Sequence, residues 1–325
     1  MRCDVPENRL AGNRFAMTID ELNEQVLGGE FEEFVRVCEA RQCKQLSAIA
    51  DTICAKSGIR LVLVAGCSSA GKTTTAKRLC TQLRVNGTYA LNISTDDYFK
   101  GDRYYPKNPD GSLDYEHVDC VDRVRLSADL NALLEGRTIV AHRFDFIKKM
   151  PYDDISVTHR LPENGVIVLE GIHSLNPLLT ELVPDEVKFR IFAEPRSSLE
   201  VFAFTRLKSS ENRFYRRMVR DNQFRKTHPS ETLRIWPLVR EGEKKWIEPF
   251  RSNADVEFDT SLDYEMAVLK PYVLGLLEMV RMRQPENFPI IYSCEFFRLI
   301  ESASPNAVPG DSILRETIGG SQLTY

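Results

Sequence analysis

The chain has 325 residues of which 42% are hydrophobic, enough for a real core in one large α/β domain with additions or two modest ones, and disorder throughout is excluded. A formal net charge of -4 and a pI near 5.9, with the charges mixed along the chain, argue against a general nucleic-acid binder. The N-terminus is charged from its second residue, no apolar run approaches membrane-spanning length, and the eight cysteines form no CxxC pair, so a soluble, cytoplasmic protein with reduced thiols is expected, without secretory signal, disulfide scaffold or zinc site.

Taken in order, Thr18-Ile-Asp-Glu21 reads as a capping box. Apolar residues at Phe31, Phe34, Val35 and Val37, then Leu46, Ile49 and Ile53, recur at helical spacing, and two or three short lead-in helices are expected. A buried strand follows at Leu61-Val-Leu-Val64. It runs into Gly66-Cys67-Ser68-Ser69-Ala70-Gly71-Lys72-Thr73, which fits GxxxxGK[ST] at every constrained position and is followed by a helix-favouring run from Ala76 to Leu83. The glycines let the backbone turn with its N–H groups inward, and the next helix adds its positive N-terminal end. An anion is wanted there. Lys72 is placed to reach the β- and γ-phosphates of a nucleoside triphosphate and the Thr73 hydroxyl to join the shell of a Mg²⁺ ion, with Cys67 as a small filler.

Asn86-Gly87 breaks that helix, and Tyr89 to Ile93 reads as a second strand ending in Ser-Thr-Asp96-Asp97-Tyr-Phe99. Acids at the carboxyl end of a parallel strand lie where open α/β sheets bind ligands, so Asp96 or Asp97 is a candidate base. Lys100 to Ser112 forms an irregular, substrate-side loop, and a helix is expected from about Val121 to Leu134. His117 between them is weighed as structural ahead of catalytic. Strands are expected at Thr138–Ala141 and Val157–Leu161, and a core strand at Gly165-Val-Ile-Val-Leu-Glu-Gly171 ends in Glu170, placed on the metal side.

Val187 to Phe192 alternates as a strand, and the residues after Pro195 are expected to turn helical. Arg213, Arg216, Arg217, Arg220 and Arg225 then crowd one helix and its end. Two readings stand: a salt-bridged surface helix, or a lid that brings guanidinium groups over a transferring phosphate. A helix is expected from Pro229 to Phe250, a strand at Ala254–Asp259, and a long helix from Tyr264 to Arg281 that Pro271 should kink or restart. Phe288 to Leu299 adds one more helix, and the chain from Ser302 onward reads as a loosely attached tail.

The segments RLCTQLRVNG, STDDYF, LEGIHSLNP, RRMVRD, ETLRIWPLVREGE and MAVLKPY, between Ile59 and Leu277, resemble the uridine kinase and phosphoribulokinase family of P-loop kinases. They are most similar to uridine-kinase-like proteins that bacteria carry fused behind domains of the threonyl-tRNA-synthetase type. The resemblance implies an α/β P-loop NTPase fold with a mainly parallel sheet flanked by helices, residues 1–57 being a helical lead-in, 58–282 the kinase-like domain and 283–325 a C-terminal helix and tail. It implies ATP or another NTP, held by Gly66, Ser68, Ser69, Ala70, Gly71, Lys72, Thr73 and Thr74 with Arg216 and Arg220, and Mg²⁺ held by Thr73 and Glu170. It places the general base at Asp96, the substrate-holding arginine at Arg213, and lid arginines at Arg216, Arg217 and Arg220. The ribose-binding acid falls on Glu116, beside His117, with Asp114 as the alternative.

Two stretches depart from the family. Around the pyrimidine, Phe144 stands where uridine kinases have a tyrosine and Lys149 where they have a histidine, and Phe202-Ala-Phe-Thr205 replaces an acidic, Asn- and His-containing stretch. The expected activity is transfer of a γ-phosphate to a small-molecule hydroxyl, first the 5′-hydroxyl of uridine or cytidine. The rivals are another hydroxyl substrate such as a sugar phosphate, kept open by Lys148 and Lys149, and a nucleotide-binding regulatory module without kinase activity. A small-molecule partner is expected, with no nucleic acid and no membrane, and a homo-oligomer is compatible with the sequence.

Overall fold

The computed structural model describes residues 17–146, 148–202 and 205–324. A short strand β1 (Met17–Thr18) leads into helix α1 (Ile19–Leu27), whose capping box is reciprocal. Thr18 N–H donates to Glu21 Oε2 at 2.7 Å and Glu21 N–H donates to Thr18 Oγ1 at 3.2 Å. One helix, α2 (Phe31–Ala55), replaces the separate short helices expected next. Gly28-Gly29 supplies the only break; between Phe31 and Ala55 there is neither glycine nor proline to end a turn.

The central layer comes from β2 (Leu61–Ala65), β3 (Ala90–Ser94), β6 (Val166–Glu170), β7 (Lys188–Glu194) and β10 (Val256–Asp259), joined side by side in the order β10-β7-β2-β6-β3, all parallel. Between β3 and β6 lie α4 (Arg123–Leu134) and an antiparallel hairpin of β4 (Thr138–Asp145) and β5 (Met150–Arg160). The strand expected at Val157–Leu161 is the second half of β5.

Alternation along β2 sorts its side chains to two faces, and both are covered. Leu61 and Leu63 pack with Leu126, Leu130 and Leu133 of α4. Val62 and Val64 pack with Leu46, Ile49 and Ile53 of α2 and with Leu79 and Leu83 of α3 (Lys72–Val85). The result is a three-layer α/β/α sandwich whose strands all present their carboxyl ends to one side, where β2 opens into the P-loop.

After Pro195 the chain is extended, not helical: β8 (Leu199–Phe202) pairs parallel with β1 and antiparallel with β9 (Thr205–Arg206). Ala203 and Phe204, the middle of the second departure from the family, lie outside the described residues. The arginine-rich helix α5 (Ser209–Phe224) starts only then, followed by α6 (Pro229–Trp246), α7 (Glu265–Arg283) and α8 (Phe288–Leu299). Helix α7 runs through Pro271 without restarting. The carbonyl that proline cannot serve, Ala267 O, accepts from Ala303 N–H at 3.0 Å instead.

That contact belongs to a wider correction. The chain beyond Ser302 is not a loose tail: Ala303, Val308, Leu314 and Ile318 are buried in the cluster built by α5, α7 and α8, and Ile313 is buried against the P-loop side of the sheet. It includes a short turn of helix, α9 (Arg315–Ile318). Among the described residues no helix is long and apolar enough to cross a membrane.

Candidate active site

At the carboxyl end of β2 the backbone turns where only a glycine fits: a Cβ on Gly66 would lie 2.2 Å from Ala193 O of β7. Ser69 and Gly71 take positive φ values of 58° and 81°, and Gly71 caps α3. Lys72, buried at the first position of α3, arches back so that Nζ donates to Cys67 O at 3.0 Å. Burial pushes the Cys67 thiol up to about 12, which leaves it an inert filler. Cys67 also comes near Glu243 and Glu248, but arginines hold both carboxylates.

Beside the loop, the ends of β3 and β6 and the first turn of α3 bring oxygen atoms together. Glu170 Oε1 accepts from Ser94 Oγ at 2.6 Å and from Thr73 Oγ1 at 3.2 Å. Glu170 is buried with no cation in direct contact among the described residues, and burial together with the Asp96 charge pushes its carboxyl up to about 7. A buried acid short of positive charge, ringed by hydroxyl and carboxylate oxygens, fits a hard divalent cation such as Mg²⁺. Asp96 and Asp97 separate cleanly. Asp97 Oδ2 accepts from Arg143 Nη1 at 2.9 Å, whereas the half-buried Asp96 carboxylate has no side-chain partner among the described residues.

The arginines of α5 divide in a way the sequence did not show. Arg213 is fully buried, with Nη1 donating to Glu243 Oε1 at 2.5 Å and to Ser68 O at 3.2 Å, and Nη2 donating to Glu243 Oε2 at 3.0 Å. Arg216, expected on the lid, is fully buried as well and is held by Glu265 and by Thr260 O. Only its Nη1 lacks a bond, and it sits close to Gly71. Arg217 reaches the loop from outside, donating to Ser68 Oγ at 2.9 Å. Arg217, Arg220 and Arg225 share the single carboxylate of Asp221, so the cluster carries surplus positive charge. Accordingly, the Arg220 charge pushes Arg225 down to about 10.

On the far side of Asp96 lies a second set. Glu116 is buried against Gly242 of α6, where a Cβ would come within 2.5 Å of it, and its Oε2 has no hydrogen-bond partner among the described residues. Burial pushes the Glu116 carboxyl up to about 7, against the pull of Arg217 and Lys72 and with the push of Asp96, so these groups share one electrostatic neighbourhood. Asp114, the alternative acid, is occupied by Trp246 Nε1 at 3.1 Å. His117 is placed structurally: its Nδ1 accepts from Asp119 N–H at 3.0 Å and its ring packs on Trp246 at 4.1 Å. Phe144 meets Phe99 and Phe146 edge-on at 5.6 and 5.2 Å, and Phe99 meets Tyr105 at 6.2 Å, forming an aromatic wall. Lys149 is exposed and turned to Asp102, with Nζ 2.7 Å from Oδ2.

Sequence reasoning missed Glu243, Glu265 and Asp221, the acids that position the arginines. Glu243 closes the segment ETLRIWPLVREGE, but its partner lies 30 residues away, and Glu265 lies 49 residues from Arg216, so no local spacing signals either. His173 of the segment LEGIHSLNP is another: it is buried near Glu116 and Trp246, and burial pushes its imidazole down to about 3, keeping it neutral. A separate cleft of about 630 Å³, lined by Arg60, Tyr89, Glu135 and Arg160, sits at the amino ends of the strands, away from this chemistry.

A uridine kinase of Deinococcus deserti is 29% identical over 194 residues, covering 59% of this chain and 84% of that one. A uridine kinase of Chloroflexus aurantiacus is 27% identical over 203 residues, covering 61% of this chain and 85% of that one. A solved structure described as a possible uridine kinase from Bacillus stearothermophilus covers 68% of this chain and 100% of its own, at 19% identity and a TM-score of 0.41. Residues 61–266 match the family described as Phosphoribulokinase / Uridine kinase family, and the chain belongs to that family.

Proposed function

We propose that the chain transfers the γ-phosphate of ATP, or a similar triphosphate, to a hydroxyl of a small nucleoside-like acceptor, with the 5′-hydroxyl of uridine or cytidine first among candidates. One observation carries the reading: two carboxylates, Asp96 and Glu116, share one electrostatic neighbourhood with Lys72 and have oxygens without a side-chain partner among the described residues. Phosphoryl transfer needs positioning and neutralisation more than covalent help. Lys72 and the loop N–H groups would hold the triphosphate, and Thr73 and Glu170 would hold a Mg²⁺ ion, which when bound supplies neutralisation of the phosphate charge. Asp96 accepts the proton of the attacking hydroxyl. Arg217 and Arg220, with their surplus charge, face the phosphates, while Arg213 fixes the loop from below.

The acceptor side favours a nucleoside over a sugar phosphate. Phe99 and Phe144, packed edge to face beside the buried Tyr105, offer an apolar aromatic surface suited to a planar base. Glu116 is suited to accept from sugar hydroxyls. The lysines that would serve a phosphorylated substrate are both engaged, Lys149 with Asp102 and Lys148 with Asp145 at 3.5 Å. The likeness to the subgroup fused to threonyl-tRNA-synthetase-type domains supports the same class through its shared segments, while Phe144 and Lys149 set this pocket apart from uridine kinases.

The test is ADP release with ATP and Mg²⁺ across a panel of nucleosides and sugar phosphates. Stimulation by uridine or cytidine supports the reading; stimulation by a sugar phosphate alone replaces it, and none by any acceptor removes kinase activity.

A further inference from the structure

The chain downstream of Gly310 lies across the first turn of α3. Ile313 is wedged beneath the P-loop, its Cγ2 2.6 Å from where a Cβ on Gly71 would stand. Three residues later, Glu316 Oε2 accepts from Thr74 Oγ1 at 3.2 Å. Thr74 is the third residue of α3, so this carboxylate is held through a side-chain hydroxyl on the first turn of the helix, beside the end whose N–H groups and dipole attract anions. Past it, Lys77 Nζ donates to Thr324 O. The segment is also knotted on itself: the Arg315 guanidinium donates to the carbonyls of Pro305, Val308, Pro309 and Gly319.

Glu316 is thereby close enough for its charge to act on Glu170 on one side and on Arg216 and Arg220 on the other. Those groups flank the ground that the phosphates of a bound triphosphate need. Among the described residues no cation is paired with Glu316, since Arg216 is held by Glu265 and Arg220 by Asp221. A polyphosphate and this carboxylate would compete for the same helix end and the same arginine field, and they would repel each other.

We propose that residues 310–324 form an autoinhibitory strap, in which Glu316 stands in for a phosphate on α3 and must withdraw when the donor nucleotide binds. This rests on the reading of the P-loop as a triphosphate site. Strap docking and nucleotide binding are then linked: whatever holds Glu316 in place weakens nucleotide affinity by the same factor. Glu316 is partly exposed, so neutralising it leaves the core intact, whereas deleting the strap would uncover Ile313 and Leu314.

The experiment titrates a fluorescent ATP analogue with Mg²⁺ into the full chain, into Glu316→Gln and into Lys72→Ala, with thermal unfolding of each as a control on folding. Glu316→Gln is expected to tighten binding at least about 5-fold, the lower end of ordinary coupling. In the unsubstituted chain, nucleotide should increase hydrogen exchange at 315–324. Equal or weaker binding by Glu316→Gln overturns the strap while leaving the nucleotide site standing. Binding by neither chain, or binding indifferent to Lys72→Ala, overturns the P-loop reading and the strap with it.

Discussion

Arg213 of α5 and Glu243 of α6 form a buried two-point ion pair, at 2.5 and 3.0 Å, and the same guanidinium donates to Ser68 O of the P-loop at 3.2 Å. Two helices and the loop are thus pinned by one side chain. Arg240 also pairs with Glu243, so the carboxylate balances two cations. Replacing one partner of such a pair strands the other in a dry site, at a cost of about 3–5 kcal/mol. Glu243→Gln should therefore lower the unfolding free energy by about 3 kcal/mol in denaturant titration and also weaken nucleotide binding. Unchanged stability would show that water reaches the pair.

Asp96 and Asp97 are adjacent but differently engaged, which allows a matched comparison. Asp96→Asn should reduce turnover by about 10²-fold or more with nucleotide affinity nearly kept, since only a proton acceptor is lost. Asp97→Asn keeps an acceptor for Arg143 and should change turnover by less than about 10-fold. Equal losses in the two variants would mean that neither carboxylate has a unique role.

The arginines of α5 should separate by assay. Arg216, enclosed by Glu265 and Thr260 O, should register in stability: Arg216→Lys gives up the two-point geometry and should cost about 2 kcal/mol or more in unfolding free energy. Arg217→Ala, at the edge of the loop, should instead lower kcat/KM about 10- to 100-fold with a small change in Tm. A kinetic defect in Arg217→Ala that follows its loss of Tm would make it structural too.

The donor half of this site could be read from the sequence because its parts are local. A strand, a glycine loop and a helix N-terminus fall within consecutive residues, and Glu170 is marked by ending an apolar run bounded by glycines. The ends of α7 and α8 were likewise legible to within two residues, whereas α5 starts at Ser209 and not after Pro195, and α6 stops at Trp246 short of Phe250. What was not legible is who holds the arginines, because Arg213–Glu243 and Arg216–Glu265 join separate helices and a guanidinium in a sequence looks the same whether it faces a phosphate or a carboxylate. The docking of the C-terminal segment was hidden for a related reason: Ile313, Leu314 and Ile318 are too few and too irregularly spaced to announce a buried face, and their partners lie on α3, α5 and α7.

Glu116 carries the acceptor side, and its pKa gives a prediction with a definite sign. Burial raises its folded pKa to about 7 from an ordinary 4.5. Between those values the folded chain keeps a proton that the unfolded chain has lost. This contribution is present at low pH and is lost as pH rises through about 7, where the buried group must ionise at a cost of roughly 3 kcal/mol. Glu116→Gln keeps the shape without the ionisation. Its Tm should exceed that of the unsubstituted chain at about pH 8, and the gap should close as pH falls from about 7 to about 4.5. His173, neutral and buried in both proteins, shifts stability in the opposite direction on acidification but cancels in the comparison. If Glu116 holds acceptor hydroxyls as an ionised acceptor, the acceptor KM of the unsubstituted enzyme should fall as pH rises through about 7, whereas that of Glu116→Gln should stay flat and at least about 10-fold higher. A Tm offset that does not change with pH would place the Glu116 carboxyl in water, and a KM profile shared by both proteins would remove it from the acceptor site.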